Sequence, residues 1–248
     1  MDVYLADLHI HTALSPCAEA EMTPPAIVAQ AKSRGIRILG ICDHNSAENV
    51  RAVAEAGEAA GVAVIGGIEV QTREDVHVLT FFSDLHALLG WQDEVYANLP
   101  ECENDEERFG EELILDSSGA VKGRLRRLLL ASTSMGIDDL GRRVRALGGL
   151  VVPAHVDRPS FSLIRNLGLI PPGLEPDCIE VSWRTGAKRA RTLFPEASGL
   201  PLIVSSDAHR LDEIRGYTVF LMESPSFDEI RLALRSAGGR MVVPVDEL

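Results

Sequence analysis

No apolar run in this sequence approaches the length needed to cross a bilayer, and none of its four cysteines sits in a C-x-x-C pair. The first residues pass into a strand-like segment without the basic stretch and apolar block of an export signal, so export is not expected. Cys17, Cys42, Cys102 and Cys178 are scattered, which argues against a disulfide framework and reads as the reduced thiols of a cytoplasmic protein. Basic side chains are scarce as well: 24 Lys and Arg against 37 Asp and Glu leave a formal charge of −13. That balance argues against sequence-independent binding along nucleic-acid backbones, which needs a basic footprint. A small phosphorylated substrate or a nucleic-acid end remains compatible, because bound divalent ions reverse the local potential. Internal repeats and low-complexity linkers are absent too, so nothing divides the 248 residues into separate domains.

What is present is an ordinary supply of core-forming residues, 46% hydrophobic and 25% charged. Short, β-branched apolar runs at residues 3–8, 36–42, 62–70, 76–82, 150–154, 178–182 and 202–205 read as buried strands. Between them, residues 24–33, 47–60, 84–97, 138–147, 160–166 and 187–193 read as helices. Thr23 followed by Pro24 and Pro25 is the expected order of an N-cap and first turn, and Gly35 and Gly61 fall where helices should stop. The strand-then-helix rhythm predicts a parallel sheet covered by helices, either doubly wound or closed as a barrel.

The positions of the polar residues decide between the two. His9, His11, Asp43, His44, Glu69, His155 and Asp207 all fall at or just beyond the C-terminal ends of expected strands. An open sheet binds ligands at one crevice near two or so strands, whereas a (β/α) barrel brings all its strand ends to one face. With His77 in the run 76–82, candidates spread over six strands and favour an α/β fold closed as a barrel of about seven strands, with 217–222 added late to the sheet or rim. The stretch 99–136 breaks the rhythm. It is first acidic (Glu101, Glu103, Asp105, Glu106, Glu107, Glu111, Glu112) and then basic (Lys122, Arg124, Arg126, Arg127). It reads as a solvated insertion in a single domain, or as a lid that brings one of its arginines to a substrate.

On a strand, residues i and i+2 face the same side, so His9 and His11 can converge on one ion. By itself such a pair is equally compatible with two polar core residues. Asp43-His44, Glu69, His77, His155 and Asp207-Ala-His209 make that bland account costly, since each ring would need its own partner within an apolar run. Imidazoles and carboxylates at strand ends are the usual ligands of zinc, manganese or iron. His86, at the start of an expected helix, reads instead as a surface or capping residue.

The order Asp7-x-His9-x-His11, Asp43-His44, Glu69, His77, His155, Asp207-x-His209 resembles the PHP (polymerase and histidinol phosphatase) family, from Asp7 to His209. The resemblance implies a distorted (β/α)7 barrel with two or three divalent ions at the C-terminal ends of the strands. It implies that His9, His11, Glu69 and Asp207 hold a first ion, and that Glu69 bridges to a second held by His77 and His155. His44 and His209 would hold a third, with Cys17 the nearest candidate for its remaining ligand. A thiolate there suits zinc or iron and not magnesium. Asp7 and Asp43 adjoin these histidines and are expected to orient an imidazole, Asp43 with a proton relay as a second role. The implied reaction is phosphate-ester hydrolysis by a hydroxide bridging two ions, with Glu69, Asp207, His155 and Asp43 as its key side chains. Arg158, and behind it Arg184 and Lys188, are candidates for binding the phosphate. The leading expectation is a phosphoesterase for a small phosphorylated metabolite or nucleotide. An exonuclease acting on RNA or DNA ends is the alternative enzyme, and a metal-binding regulatory module without turnover is the alternative from another class. No membrane association is expected, and the sequence points to no protein partner.

Overall fold

The structure, a computed structural model, describes residues 1–195 and 199–248. The first half contains β1 (Asp2–Ile10), α1 (Pro24–Ser33), β2 (Ile38–Ile41), α2 (Val50–Ala60), β3 (Ala63–Gln71), β4 (His77–Phe81) and α3 (Leu85–Asn98). Next come a single helical turn, α4 (Glu106–Phe109), and a small hairpin of β5 (Leu113–Leu115) and β6 (Val121–Arg124). The rest runs through α5 (Ile137–Ala146), β7 (Leu150–Pro153), α6 (Leu163–Leu167), β8 (Ile179–Ser182), α7 (Ala187–Leu193), β9 (Leu202–Ser205), β10 (Thr218–Met222), α8 (Phe227–Leu234) and β11 (Met241–Pro244). None of the described helices is long and apolar enough to cross a membrane.

Seven strands form one curled sheet in the order β11-β10-β1-β2-β3-β4-β7, and β8 pairs with β9 in a separate parallel ribbon. Backbone hydrogen bonds tie that ribbon to both sides of the sheet. Asp177 N–H donates to Val151 O and Val156 N–H to Glu180 O, both at 2.9 Å. On the other side His11 N–H donates to Ala208 O at 3.0 Å, beside a parallel bridge between Ile10 and Ala208. The late strand anticipated at 217–222 is β10, which lies antiparallel on the edge of β1.

One expectation about direction fails. The sheet is mixed, because β4 runs antiparallel to both β3 and β7. A parallel crossover needs a dozen or more residues, usually with a helix, and only residues 72–76 join β3 to β4. The chain can only turn back. The reversal puts His77, the first residue of β4, directly opposite Gln71 at the C-terminal end of β3.

Alternation along the strands sorts the apolar side chains into two layers. Ala6, Leu8, Ile65, Leu79, Val152 and Ile203 pack together on the inner face, which α8 covers from one end through Phe227 and Ile230. Leu39, Ile41, Ile68, Val70, Val151 and Val204 face the helices, where Ile27, Val53, Trp91, Leu140 and Val144 complete the outer layer. In β1 the alternation slips. Tyr4, Ala6 and Leu8 belong to the inner layer, but Ile10 belongs to the outer one. The pairing of β1 with β2 shifts register between Asp7 and Ile10, the mark of a β-bulge, which re-aims the side chains beyond it. Gly40 on β2 permits the close approach this requires, since a Cβ there would lie 2.2 Å from Leu8 O.

The 99–136 stretch docks against the loop that follows β1. Leu113 and Leu115 pack on Ala13, and Leu129 packs with Leu14 and Leu99. Leu113 N–H donates to Ala13 O at 3.0 Å, and Asn49 holds Leu113 O at 2.9 Å and Leu115 N–H at 2.8 Å. Of the arginines expected of a lid, Arg124 pairs with Glu111 at 2.7 Å. Arg127 lies over the Tyr96 ring and donates to Tyr96 O at 2.8 Å. Arg126 is exposed.

Candidate metal centre

The polar strand ends meet in one buried cluster. His9 and His11, aimed by the bulge in β1, are fully buried with their Nε2 atoms 3.2 Å apart. Glu69, near the end of β3, lies among imidazoles: its Oε1 is 2.8 Å from His77 Nδ1 and 3.2 Å from His155 Nε2, and its Oε2 is 2.9 Å from His44 Nδ1. His9 Nε2 stands 3.4 Å from Glu69 Oε1 and 3.3 Å from Asp207 Oδ1. His11 Nε2 stands 3.1 Å from the same Asp207 oxygen, and the His209 ring stacks on His11 at 4.1 Å. His155 and Asp207 each stand two residues beyond the end of a strand in a left-handed backbone conformation, φ +29° and +52°. Such conformations are costly for side-chain-bearing residues and gather where surrounding contacts hold a site in place.

Three sets of donor atoms lie within 4.8 Å of one another: His9, His11 and Glu69; His44, Glu69 and His77; and His11, His44 and His209. Two observations fit these sets to cations. Glu69 Oε2, despite its approach to His44 Nδ1, and His155 Nδ1 are buried without a hydrogen bond of proper geometry, which burial otherwise penalises. The charges also call for a positive ion. Burial works against a protonated His9, yet Glu180, Asp207 and Glu69 outweigh it and hold the ring well above the ordinary histidine range. The same three carboxylates form a cation sink. Burial, helped by His209 and His44, holds His11 well below that range, so its nitrogen keeps a lone pair for a ligand bond. Burial raises the Glu69 carboxyl, but His77, His9 and His44 outweigh it and keep it well below the usual carboxylate range.

Cys17 lies beside this cluster, exposed at its rim. Burial of its sulfur raises the thiol, but hydrogen bonds with His209 and His44 prevail and bring it down to about 6, so the thiolate is within reach at neutral pH. Asp43 accepts Thr12 N–H at 2.7 Å, Thr12 Oγ1 at 2.8 Å and Ser15 Oγ at 2.7 Å. Ser15 Oγ in turn lies 2.8 Å from His11 Nδ1, so Asp43 reaches the imidazole through a hydroxyl. Arg158 Nη1 touches Asp207 Oδ2 at 2.6 Å. Arg184 is exposed, with its guanidinium over the Trp183 ring, and Lys188 is exposed on α7; neither bonds to the cluster among the described residues. His86 stands at the start of α3, away from the cluster.

Asp7 does not orient His9. Strict alternation would put it on the side of His9 and His11, but the bulge intervenes and Asp7 accepts Ser206 N–H and Arg215 N–H, each at 3.0 Å. Burial pushes its carboxyl up to about 7. The orienting contact belongs to Glu180 on β8, a residue the sequence reading passed over. Its Oε2 lies 3.0 Å from His9 Nδ1, and its Oε1 accepts His155 N–H at 3.2 Å. The signal was a fully buried carboxylate between Ile179 and Val181 in an otherwise apolar strand.

Imidazoles and carboxylates gathered at the strand ends of a curled α/β sheet define a metal-binding α/β protein of the PHP type. The chain belongs to the PHP domain family: the PHP domain matches residues 7–149, and the PHP-associated region matches residues 189–237. Uncharacterized protein YqxK of Bacillus subtilis is 25% identical over 265 residues, 96% of this chain and 63% of that protein. Phosphoribosyl 1,2-cyclic phosphate 1,2-diphosphodiesterase of Eggerthella lenta is 34% identical over 80 residues, 30% of this chain and 29% of that enzyme. Among solved structures, the lesion-specific endonuclease PfuEndoQ of Pyrococcus furiosus shares the fold with a TM-score of 0.73 at 21% identity. That match covers 97% of this chain and 58% of the endonuclease, so the chain spans less than two thirds of each of these relatives.

Proposed function

We propose that this protein is a metal-dependent hydrolase of phosphate esters, acting on a small phosphorylated metabolite or nucleotide. The observation that carries this reading is Glu69, a buried carboxylate with one unsatisfied oxygen and His44, His77 and His155 around it, in a family whose relatives include a phosphodiesterase. The strands β1, β2, β3, β4, β7, β8 and β9 are read as a distorted (β/α)7 barrel, residues 1–248 as one domain, and 99–136 as an insertion fixed on its rim. The backbone bonds from the β8–β9 ribbon to β7 and to the end of β1 support that closure.

His9, His11, Glu69 and Asp207 would hold one ion; Glu69, His77 and His155 a second; and His44, His209 and Cys17 a third. Zinc, manganese or iron suits such nitrogen and oxygen donors, and a Cys17 thiolate favours zinc or iron at the third site. Ions bound there supply Lewis acidity to the phosphoryl oxygens and an acidified water. The chain's own side chains do the rest. Arg158, adjacent to Asp207, grips non-bridging oxygens through its planar fork. Glu180 fixes which nitrogen of His9 faces the centre, and Asp43 does the same for His11 through Ser15. Arg184 and Lys188 lie further out and would meet only an extended substrate.

The test is metal analysis of protein purified without added metal, followed by a hydrolysis screen after reconstitution. Bound zinc, manganese or iron with turnover of nucleotides or metabolite phosphates is expected, and Glu69→Ala should reduce turnover by at least about 100-fold. Full metal occupancy with no cleavage of any mono- or diester would leave a binding module as the function. Activity confined to oligonucleotides would select the nuclease, for which the exposed Lys122, Arg124 and Arg126 offer a path for a strand.

A further inference from the structure

Phe161 stands at the mouth of the centre in a position that folding alone does not explain. It is an aromatic residue in the left-handed region, φ +55°, a conformation that side-chain-bearing residues rarely adopt. Its ring joins none of the apolar clusters among the described residues and remains 41% exposed. Two contacts hold it. His77 N–H donates to Phe161 O at 2.9 Å, and the Phe161 ring stacks on the His77 imidazole, centroids 4.6 Å apart and planes inclined by 16°. A strained, exposed aromatic is thus pinned flat against a proposed metal ligand.

The same segment carries Arg158. The chain from 158 to 161 thus sets a guanidinium on Asp207 and an aromatic face on His77. On the outer side of Arg158 is a cavity of about 380 Å³ whose walls include Val156, Pro159, Ile164 and Phe194. A phosphoryl group held by ions on Glu69, His77 and Asp207, with its oxygens in the Arg158 fork, would leave its remaining substituent near His77 and so near the exposed Phe161 ring. A planar substituent gains a stacking surface there, and an aliphatic one does not.

Resting on the phosphoesterase reading, we propose that Phe161 is the specificity-determining residue of this site, a stacking platform that selects phosphate esters carrying a flat aromatic group, a nucleobase above all. Phe161 belongs to substrate recognition and takes no part in the bond-breaking step.

The experiment measures binding of adenosine 5′-monophosphate and of ribose 5-phosphate to zinc-loaded protein by calorimetry. These two probes share a phosphate and a sugar and differ by the base. The wild type should prefer the nucleotide, and the ratio of the two dissociation constants should fall by about tenfold in Phe161→Leu and in Phe161→Gly. Phe161→Gly relieves the left-handed backbone, so it also serves if the leucine variant folds poorly. Phe161→Tyr should restore the preference. Zinc affinity, from competition with a chromophoric chelator, reports separately on any disturbance of His77. An unchanged ratio in both variants, or equal weakening of both probes, would overturn the platform. Because binding is the readout, failure of hydrolysis would count against the proposed reaction and not against Phe161.

Discussion

The metal centre and the 99–136 insertion are both rich in charged side chains, and they handle charge in opposite ways. In the insertion, charges answer one another at the surface: Arg124 pairs with Glu111, and Arg127 is spent on Tyr96. In the centre, Glu69, Asp207 and Glu180 are buried together, and among the described residues only Arg158, on Asp207, brings a permanent positive charge. At the surface the first pattern needs nothing from outside the protein. The second leaves polar atoms without partners and calls for ions from outside. Charge density alone therefore marks nothing; burial without a partner marks a site.

The sharpest way to break that contrast is Glu180→Gln, which keeps the shape of the side chain beside His9 and removes its charge. A loss of about 10- to 100-fold in zinc affinity is expected by chelator competition. Unchanged affinity would mean that the imidazoles hold their orientation without it. The second concerns Glu112, a carboxylate of the insertion that is buried as those of the centre are. It is buried, its Oε1 accepts Leu129 N–H at 2.9 Å, its Oε2 has no partner, and burial pushes its carboxyl from 4.5 up to about 7. The folded protein then holds a proton that the unfolded chain releases near 4.5, so this contribution to stability is complete below that pH and lost as pH rises through about 7. Glu112→Gln should match the wild type at pH 4 and exceed it by about 3 kcal/mol at pH 8 in denaturant titrations. A difference independent of pH would sink this assignment. The smallest effect is expected from Arg124→Ala, an exposed pair whose loss should cost under about 0.5 kcal/mol. A larger cost would show that the insertion depends on its ion pairs as the centre depends on its ions.

The sequence made the donors of the centre legible because strand-end histidines and acids have few other uses, and seven of them sat next to apolar runs. Their directions were less legible. Asp7 shares the parity of His9 and His11 in a regular strand, and the bulge that separates them depends on Gly40 lying close to Leu8, a contact between two strands. Glu180 was overlooked because a single carboxylate within an apolar strand carries no spacing motif; its partners, His9 and His155, come from other strands. The mixed direction of the sheet was readable in principle, since residues 72–76 leave no room for a crossover. The docking of the insertion was not, because Leu113, Leu115 and Leu129 are too few among acidic and basic neighbours to stand out as a buried face.

The hairpin of β3 and β4 also limits how this protein can change. Most ligand-bearing strands end in loops that can lengthen without moving the residue before them. His77 is different, because its facing depends on the number of residues between it and Glu69. One residue gained or lost in 72–76 would turn the imidazole out toward the helices and bring Val78 or Val76 beside Glu69 in its place. Substitutions can accumulate around this centre, and loops can grow at its rim, but the length of that one turn is closed to drift.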